Sequence, residues 1–501
     1  MNYGELLNFV APETLVVLAA LGVLMIDLTT LRGSPHKSRM RAGAGLTALG
    51  CFAAMGALAL TPATTPAGYL GGMLALSPLT GLVKGVLLIL TVLTAVFALE
   101  SQFTDHVGEY FALLLLATAG MMFLASAENL LMIFVSLELL SLCLYILTAF
   151  HKENLQSAEA ALKYFLFGGM SAAFLLFGLS LVYGLTGELE LARIAAKVGP
   201  GGVKLDALFV LALLLVVAGF GFKVAAVPFH LWAPDTYQGA PTPSAALIAS
   251  GSKVASFFIL AKVLMAGVAG AQGSAAVGSL VQGWAPMLAV AAALSLVVGN
   301  LGAIAQTSAR RLLAYSAIAH AGYLLTGLLA TDHREGMASV LYYVTTYALT
   351  AVGAFAVIGV VQEKAGEDRL SAFAGLAERA PWLSFCMLIF MLSLAGIPPL
   401  AGFFGKFYLF KAALIGKGPP AAPSMGLFWL ILLALAMSAV SLYYYLQVLK
   451  QIYVRPSPDD APAIRAGALS KVTLAVVAAG VLLLGCFPNL LLRPLLEAIG
   501  G

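Results

Sequence analysis

Long apolar runs separated by short polar loops recur along the whole chain. A membrane-crossing helix needs about 20 largely apolar residues. On that template the pattern predicts about fourteen such helices and an all-α polytopic fold. They lie near 10–30, 42–60, 76–99, 109–126, 129–150, 159–184 and 206–230, then near 238–268, 285–306, 311–330, 337–362, 381–413, 425–450 and 470–492. The connections are too short for a soluble domain, so residues 1–501 are read as one transmembrane domain.

Two stretches break the apolar pattern. Gly219–Lys262 holds Lys223, His230, Asp235, Lys253 and Lys262 together with Pro228, Pro234, Pro241 and Pro243. Met391–Lys411 holds Pro398 and Pro399 among Gly396, Gly402 and Gly405, followed by Lys406. A proline inside a helix removes a hydrogen bond that lipid cannot replace. A lysine at bilayer depth costs about 2.5–3.5 kcal/mol on insertion scales. Both liabilities are tolerable where protein encloses a polar path. Interrupted helices in corresponding positions of two halves point to an inverted-repeat transporter. A five-helix unit pairs helices 4–8 with helices 9–13, each containing one break. The organisation is then three N-terminal helices (1–108), a first repeat (109–268), a second repeat (285–452) and a C-terminal helix (468–501).

Composition agrees with the pattern. Of 501 residues 61% are hydrophobic and 10% charged, against about 25% charged in soluble domains. The net charge of +4 is scattered and forms no stripe for nucleic acid. Cys51, Cys143, Cys386 and Cys486 lie in apolar runs without metal spacing and read as packed free thiols. No motif for nucleotide, iron–sulfur or haem binding is present. The first apolar run lacks a basic leader and reads as a retained helix. Arg32, Lys37, Arg39 and Arg41 crowd the first loop, and alternate loops sum to roughly 14 against roughly 7 basic residues. That bias puts the first loop in the cytoplasm and both termini outside.

The intramembrane ionisable residues carry the candidate chemistry. Glu138, within LLMIFVSLELLSLCLYILTAF, either protonates or finds a cation. Lys223 is its proposed partner: burial disfavours the ammonium, and a carboxylate about 7 Å away restores roughly 2.4 kcal/mol at an effective dielectric near 20. The two effects are comparable, so the distance between the groups can switch the charge. Lys253 lies among small residues, and Lys406 follows the second break, where freed carbonyls can solvate an ammonium. Lys163 and Lys262 lie nearer helix ends, where snorkelling competes with an interior role. His230 and His320 are either proton relays or packing residues. Glu13 and Asp27 read as interfacial. Glu188, Glu190, Asp332, Asp459 and Asp460 read as solvated loop charges. Lysines with one carboxylate suit a water-linked proton path and suit a metal badly.

Several stretches carry a family resemblance: ENLLMIFVSLELLSLCLYIL, SAEAALKYFLFGGMSAAFLLFGLSLVYGLTG, FGFKVAAVPFHLWAPDTYQGAPTPSAALIASGSKVA, RLLAYSAIAHAGYLL and LSLAGIPPLAGFFGKFYLF. They resemble the antiporter-like membrane subunits of respiratory complex I, the NADH:quinone oxidoreductase. Of the three kinds of subunit in that family, one carries a glutamate in place of Lys406 and one is longer; the third is most similar. The resemblance implies a proton-translocating role within a larger assembly of related antiporter-like subunits in a bacterial inner membrane, with periplasmic termini. It implies that Glu138 and Lys223 form the switching pair, which Lys163 modulates. Lys253 and His230 then connect the pair to the broken-helix Lys406. NADH, FMN, iron–sulfur clusters and quinone would be handled by partner subunits, with none in this chain. A multisubunit cation/proton antiporter shares the same features and stands as the alternative. A static scaffold and a channel are further rivals.

Overall fold

In the computed structural model the predicted apolar runs are helical. The structure describes residues 9–61, 72–198, 202–414, 426–458 and 464–500; Asp459 and Asp460 lie outside these. The helices are α1 (Ala11–Thr29), α2 (His36–Leu60), α3 (Pro78–Ala98), α4 (Val107–Ser126), α5 (Leu130–Thr148), α6 (Leu155–Thr186) and α7 in two pieces, Ala207–Val224 and Trp232–Gly239. Then follow α8 (Thr242–Gly267), α9 (Trp284–Ile304), α10 (Ala309–Leu328), α11 (His333–Ala365), α12 in two pieces, Pro381–Ala395 and Ala401–Leu414, α13 (Phe428–Tyr453) and α14 (Ala468–Cys486). Twelve of the described helices are long and apolar enough to cross a membrane. The polar α10 and the broken α12 complete fourteen crossings. Polar residues just ahead of the apolar runs start several of them: Ser77, Asn129, Asn154, Asp206, Ser308 and Asp332 each accept a backbone N–H of the first turn.

The two halves share their irregularities. α6 and α11 are the longest described helices, at 32 and 33 residues, and each ends on a glycine in the left-handed region, Gly187 and Gly366. α7 leaves the helix at Val224, passes through Ala225 at φ 58° and a cis Val227–Pro228 bond, and resumes at Trp232. α12 leaves at Ala395, passes through Gly396 at φ 87° and a cis Pro398–Pro399 bond, and resumes at Ala401. Both helices stop before the proline, because proline disfavours helical geometry in the residue ahead of it. With crossings alternating, α7 and α12 run in opposite directions, as an inverted repeat requires. A further irregularity had no sequence signal: α8 kinks at Ser250 and ends in a π-helical turn, Val263–Gly267.

α8 forms the centre, with nearly all of its residues buried, and packs against α3, α4, α7 and α11. The helices α1, α2, α6, α13 and α14 bury about a third or less of theirs and form the periphery. On α6 an outer face of Leu162, Phe165, Leu166, Met170 and Phe177 stays exposed, as a lipid-facing or partner-facing surface must. Cys51, Cys143 and Cys386 are buried as expected of packed thiols, whereas Cys486 is exposed. Glu13 and Asp27, expected at the interface, are buried. Asp27 takes a two-pronged bond from Arg39 at 2.8 and 2.6 Å and the Gly108 N–H at 2.8 Å. The partner sits on a neighbouring helix, which the sequence around Asp27 does not reveal.

Candidate functional site

Lys223 lies in the last turn before the α7 break and is buried. Its ammonium donates to Ser141 Oγ, which in turn donates to the Leu137 carbonyl, and Tyr145 Oη lies 3.4 Å away. The same ammonium faces the Tyr145 and Phe222 rings at 5.5 and 5.4 Å, where the ring faces favour a cation. Glu138 makes no ion pair with Lys223 within 4.0 Å among the described residues, although the two interact electrostatically. Its Oε1 is buried without a hydrogen-bond partner among them. The two are therefore not in direct contact, and Ser141 holds the lysine. Glu138 also lies on the outward face of α5, between Leu131, Val135, Leu142 and Ile146, all at least half exposed. A carboxylate on such a face is expensive in lipid.

The break in α7 serves the next lysine. Lys253 is 1% exposed. It donates to the carbonyls of Val224 at 3.3 Å and Ala317 at 2.7 Å. The first is freed where α7 unwinds, so Lys223 and Lys253 meet one short piece of backbone. One helical turn beyond Ala317 on α10 stands His320. Its Nδ1 lies 2.6 Å from Tyr343 Oη and its Nε2 3.1 Å from Tyr445 Oη, which is itself 2.5 Å from Ser316 Oγ. His320 senses both Lys253 and Lys406 electrostatically. Lys406 donates to the Leu394 and Ala395 carbonyls at 3.3 and 3.0 Å and to Ser438 Oγ at 2.9 Å, and it faces the Tyr323 ring at 4.8 Å. Those carbonyls are freed by the second break. Gly396 serves there twice: its φ of 87° excludes most side chains, and a Cβ would come within 3.1–3.2 Å of the lysine.

Lys223, Lys253, His320 and Lys406 are all buried, and Glu138 stands beside them on the outward face of α5. Lys163 stands off them on the first-loop side, where it pairs with Glu159 at 2.7 Å and Asp235 at 2.8 Å. Asp235 also binds Arg311 at 2.6 Å, so the second piece of α7 is tied to α6 and α10. His230 is half-buried just after the break, and its Nδ1 lacks a hydrogen-bond partner among the described residues. Pro228, Pro398 and Pro399 lie inside the two breaks. Ser141, Tyr145, Tyr323, Tyr343, Tyr445 and Ser438 escaped the sequence reading. A usable signal existed for two of them: Ser141 and Tyr145 follow Glu138 by three and seven residues and share its side of α5. No group of three His, Cys, Asp or Glu side chains among the described residues is placed to hold a metal.

Ser141→Ala removes a hydrogen bond from a charged donor, worth about 1.5–3 kcal/mol. The variant is expected to unfold a few degrees lower in a thermal melt, and an unchanged midpoint would show that Ser141 Oγ does not hold the lysine.

A membrane protein of inverted repeats, with lysines seated at both helix breaks, defines the class, and the comparisons give the family. The profile described as NADH:quinone oxidoreductase/Mrp antiporter, TM, matches residues 127–439. The chain is similar to NADH-quinone oxidoreductase subunit N 2 of Acidobacterium capsulatum, with 54% identity over 98% of this chain and 99% of the relative. It is similar to NADH-quinone oxidoreductase subunit N of Trichlorobacter lovleyi, with 36% identity over 98% and 97%. Among solved structures, a chain of respiratory complex I from Thermus thermophilus with bound aureothin superposes with a TM-score of 0.78 at 34% identity, covering 98% of this chain and 100% of that one. The chain belongs to the NADH-quinone oxidoreductase subunit N family, the third kind of antiporter-like subunit that its KYFLFGGMSAAFLLFGLSLVYG and AGIPPLAGFFGKFYLF stretches resemble.

Proposed function

We propose that this chain is a proton-translocating membrane-arm subunit of NADH:quinone oxidoreductase, and that protons cross it along Lys223, Lys253, His320 and Lys406. The observation that carries the reading is the seating of the lysines. Lys253 and Lys406 are solvated by carbonyls that exist only because α7 and α12 are broken. An ammonium held by neutral dipoles, without a carboxylate, can lose its proton and leave no uncompensated charge behind.

The cycle starts at Glu138. Its approach to Lys223 stabilises the ammonium, and its withdrawal favours release of that proton. Lys253 takes it across the unwound segment. His320, bracketed by two tyrosine hydroxyls, passes it on, and Lys406 releases it beyond the second break. Glu138 lies on an exposed apolar face, so a neighbouring membrane subunit covers it and sets its position. In this reading the first loop is cytoplasmic and both termini are periplasmic. NADH, FMN, iron–sulfur clusters and quinone belong to partner subunits.

The test is native isolation from the membrane. Isolated so, the chain is expected to travel with quinone-dependent NADH oxidation and to support proton uptake into vesicles. Sodium-dependent proton flux without NADH oxidation would instead place it in a multisubunit cation/proton antiporter, the other activity in the family description, and an isolated homo-oligomer lacking NADH oxidation would overturn the reading.

A further inference from the structure

Four buried or half-buried charges that the proposed path does not use gather at the side of the membrane where the chain ends lie. Glu13 is in the first turn of α1, and Lys84 lies on α3. Lys262 ends the α-helical part of α8, and Glu128 joins α4 to α5. Lys84 Nζ lies 2.5 Å from Glu13 Oε1, with both side chains 1–2% exposed. Lys262 Nζ lies 2.6 Å from Glu128 Oε1 and donates to the Ala127 carbonyl at 3.0 Å; these side chains are 12% and 29% exposed. The helices that carry Lys84 and Lys262, α3 and α8, pack against each other, so the two pairs lie side by side at one end of that contact. Exposure rises from the sealed Glu13–Lys84 end to the open Glu128 end. The other charges packed here are Glu188, Glu190, Arg193 and Lys197, with Arg193 at 3.0 Å from Glu190 and 3.9 Å from Glu188, and Lys197 at 3.8 Å from Glu188.

The two pairs join the proposed path through α8. Lys262 follows Lys253 by nine residues, about 13 Å along the helix axis. Ser256, one turn on from Lys253, and Ser126, beside Ala127, are fully buried hydroxyls whose Oγ atoms have no hydrogen-bond partner among the described residues. Glu13 Oε2 is likewise buried and unpartnered among them. Orphaned buried polar atoms strung between ionisable groups mark positions for internal water. A buried ion pair is seldom the most stable filling of its space, so stability alone does not account for two pairs side by side.

We propose that Glu13, Lys84, Lys262 and Glu128 form a second proton-exchange site, connecting Lys253 of the first repeat to water on the side of the chain ends, separate from release at Lys406. It rests on the proton-translocating reading above. With the Glu13 carboxylate against Lys84, the Lys84 charge is compensated and Lys262 keeps its proton. When the carboxylate moves away from Lys84, the less compensated ammonium repels the proton of Lys262. The Lys262 N–H bond then breaks, the proton joins the Glu128 carboxylate as an O–H, and it leaves from there to water. The neutral Lys262 is reprotonated from Lys253 through the Ser256 hydroxyl and intervening water. Glu13 and Lys84 act as positioning residues, because they set the field at Lys262.

The test uses the assembled complex in membrane vesicles and compares protons moved per NADH oxidised. The double variant E13Q/K84M removes both buried charges at once. It is expected to retain NADH oxidation while the proton ratio falls to roughly half. The charge-swapped E13K/K84E keeps an ion pair but places a carboxylate beside Lys262, and its ratio is expected to stay low. A parental ratio in either variant overturns the proposal and leaves a static latch. If both fail to assemble, E128Q at the exposed end decides: a lowered ratio supports the site and a parental ratio overturns it. Lys406→Met in the same vesicles separates the two readings, since its undiminished pumping would reject the main path itself.

Discussion

Lys406→Met is expected to yield a complex that assembles normally and releases protons past the second break at least about tenfold more slowly, the low end of what a positioned proton-transfer group contributes, so that total uptake falls to roughly the half left to the Glu128 exit. Methionine matches the length of lysine and keeps its apolar stem. What it loses is the donor to Leu394 O, Ala395 O and Ser438 Oγ. Each carbonyl left unsatisfied costs about 1–3 kcal/mol. That cost is offset because a buried ammonium no longer has to be desolvated. The net effect on folding is therefore small, and the effect on transfer is large. The measurement is proton uptake by vesicles against the amount of assembled complex. Normal uptake with normal assembly would show that the buried lysine is static.

Gly402→Ala is expected to act the other way, through structure. Gly402 lies in the second piece of α12, and its N–H meets Ser393 Oγ at 3.3 Å across the break. An added Cβ would overlap the Ser393 carbonyl oxygen, which is backbone and cannot rotate aside. The two pieces of α12 must separate, at a cost of about 3 kcal/mol or more, the upper range for overpacking. Separation also pulls Lys406 from the carbonyls of Leu394 and Ala395. The chain should incorporate poorly into the complex, with an unfolding midpoint several degrees lower. Gly22→Ala is the control, because a Cβ there meets nothing within 4 Å. Equal incorporation of the two variants would refute the tight-junction account of the break.

The proposed path and the N-terminal pairs place different demands on the same chain. The ammonium groups of Lys253 and Lys406 are held by neutral dipoles. At Glu13–Lys84 and Glu128–Lys262 each cation faces a carboxylate directly. The family profile spans residues 127–439 and so leaves out Glu13 and Lys84. A sequence reading weighted toward the repeats passes over them for the same reason: the three N-terminal helices hold few charges, and each looks like an end-of-helix residue.

The helix count, the two breaks and the buried lysines were legible in the sequence. Bilayer thickness and backbone hydrogen bonding allow few ways to arrange 61% apolar residues. A lysine or proline inside such a run stands out because lipid does not tolerate it. Even the family could be read from local stretches around Glu138, Lys223 and Lys406. Partnership could not. That Glu138 stands apart from Lys223, that Lys253 shares the Val224 carbonyl with the α7 break, and that His320 sits between two tyrosines depend on which helices lie side by side. The same holds for Asp27 with Arg39 and Glu13 with Lys84, which look interfacial by position and are buried by contact. Hydropathy is a property of one segment, whereas an ion pair across helices depends on two segments and the crossing between them. Local composition sets what has to be buried; the packing around α8 selects which groups face each other there.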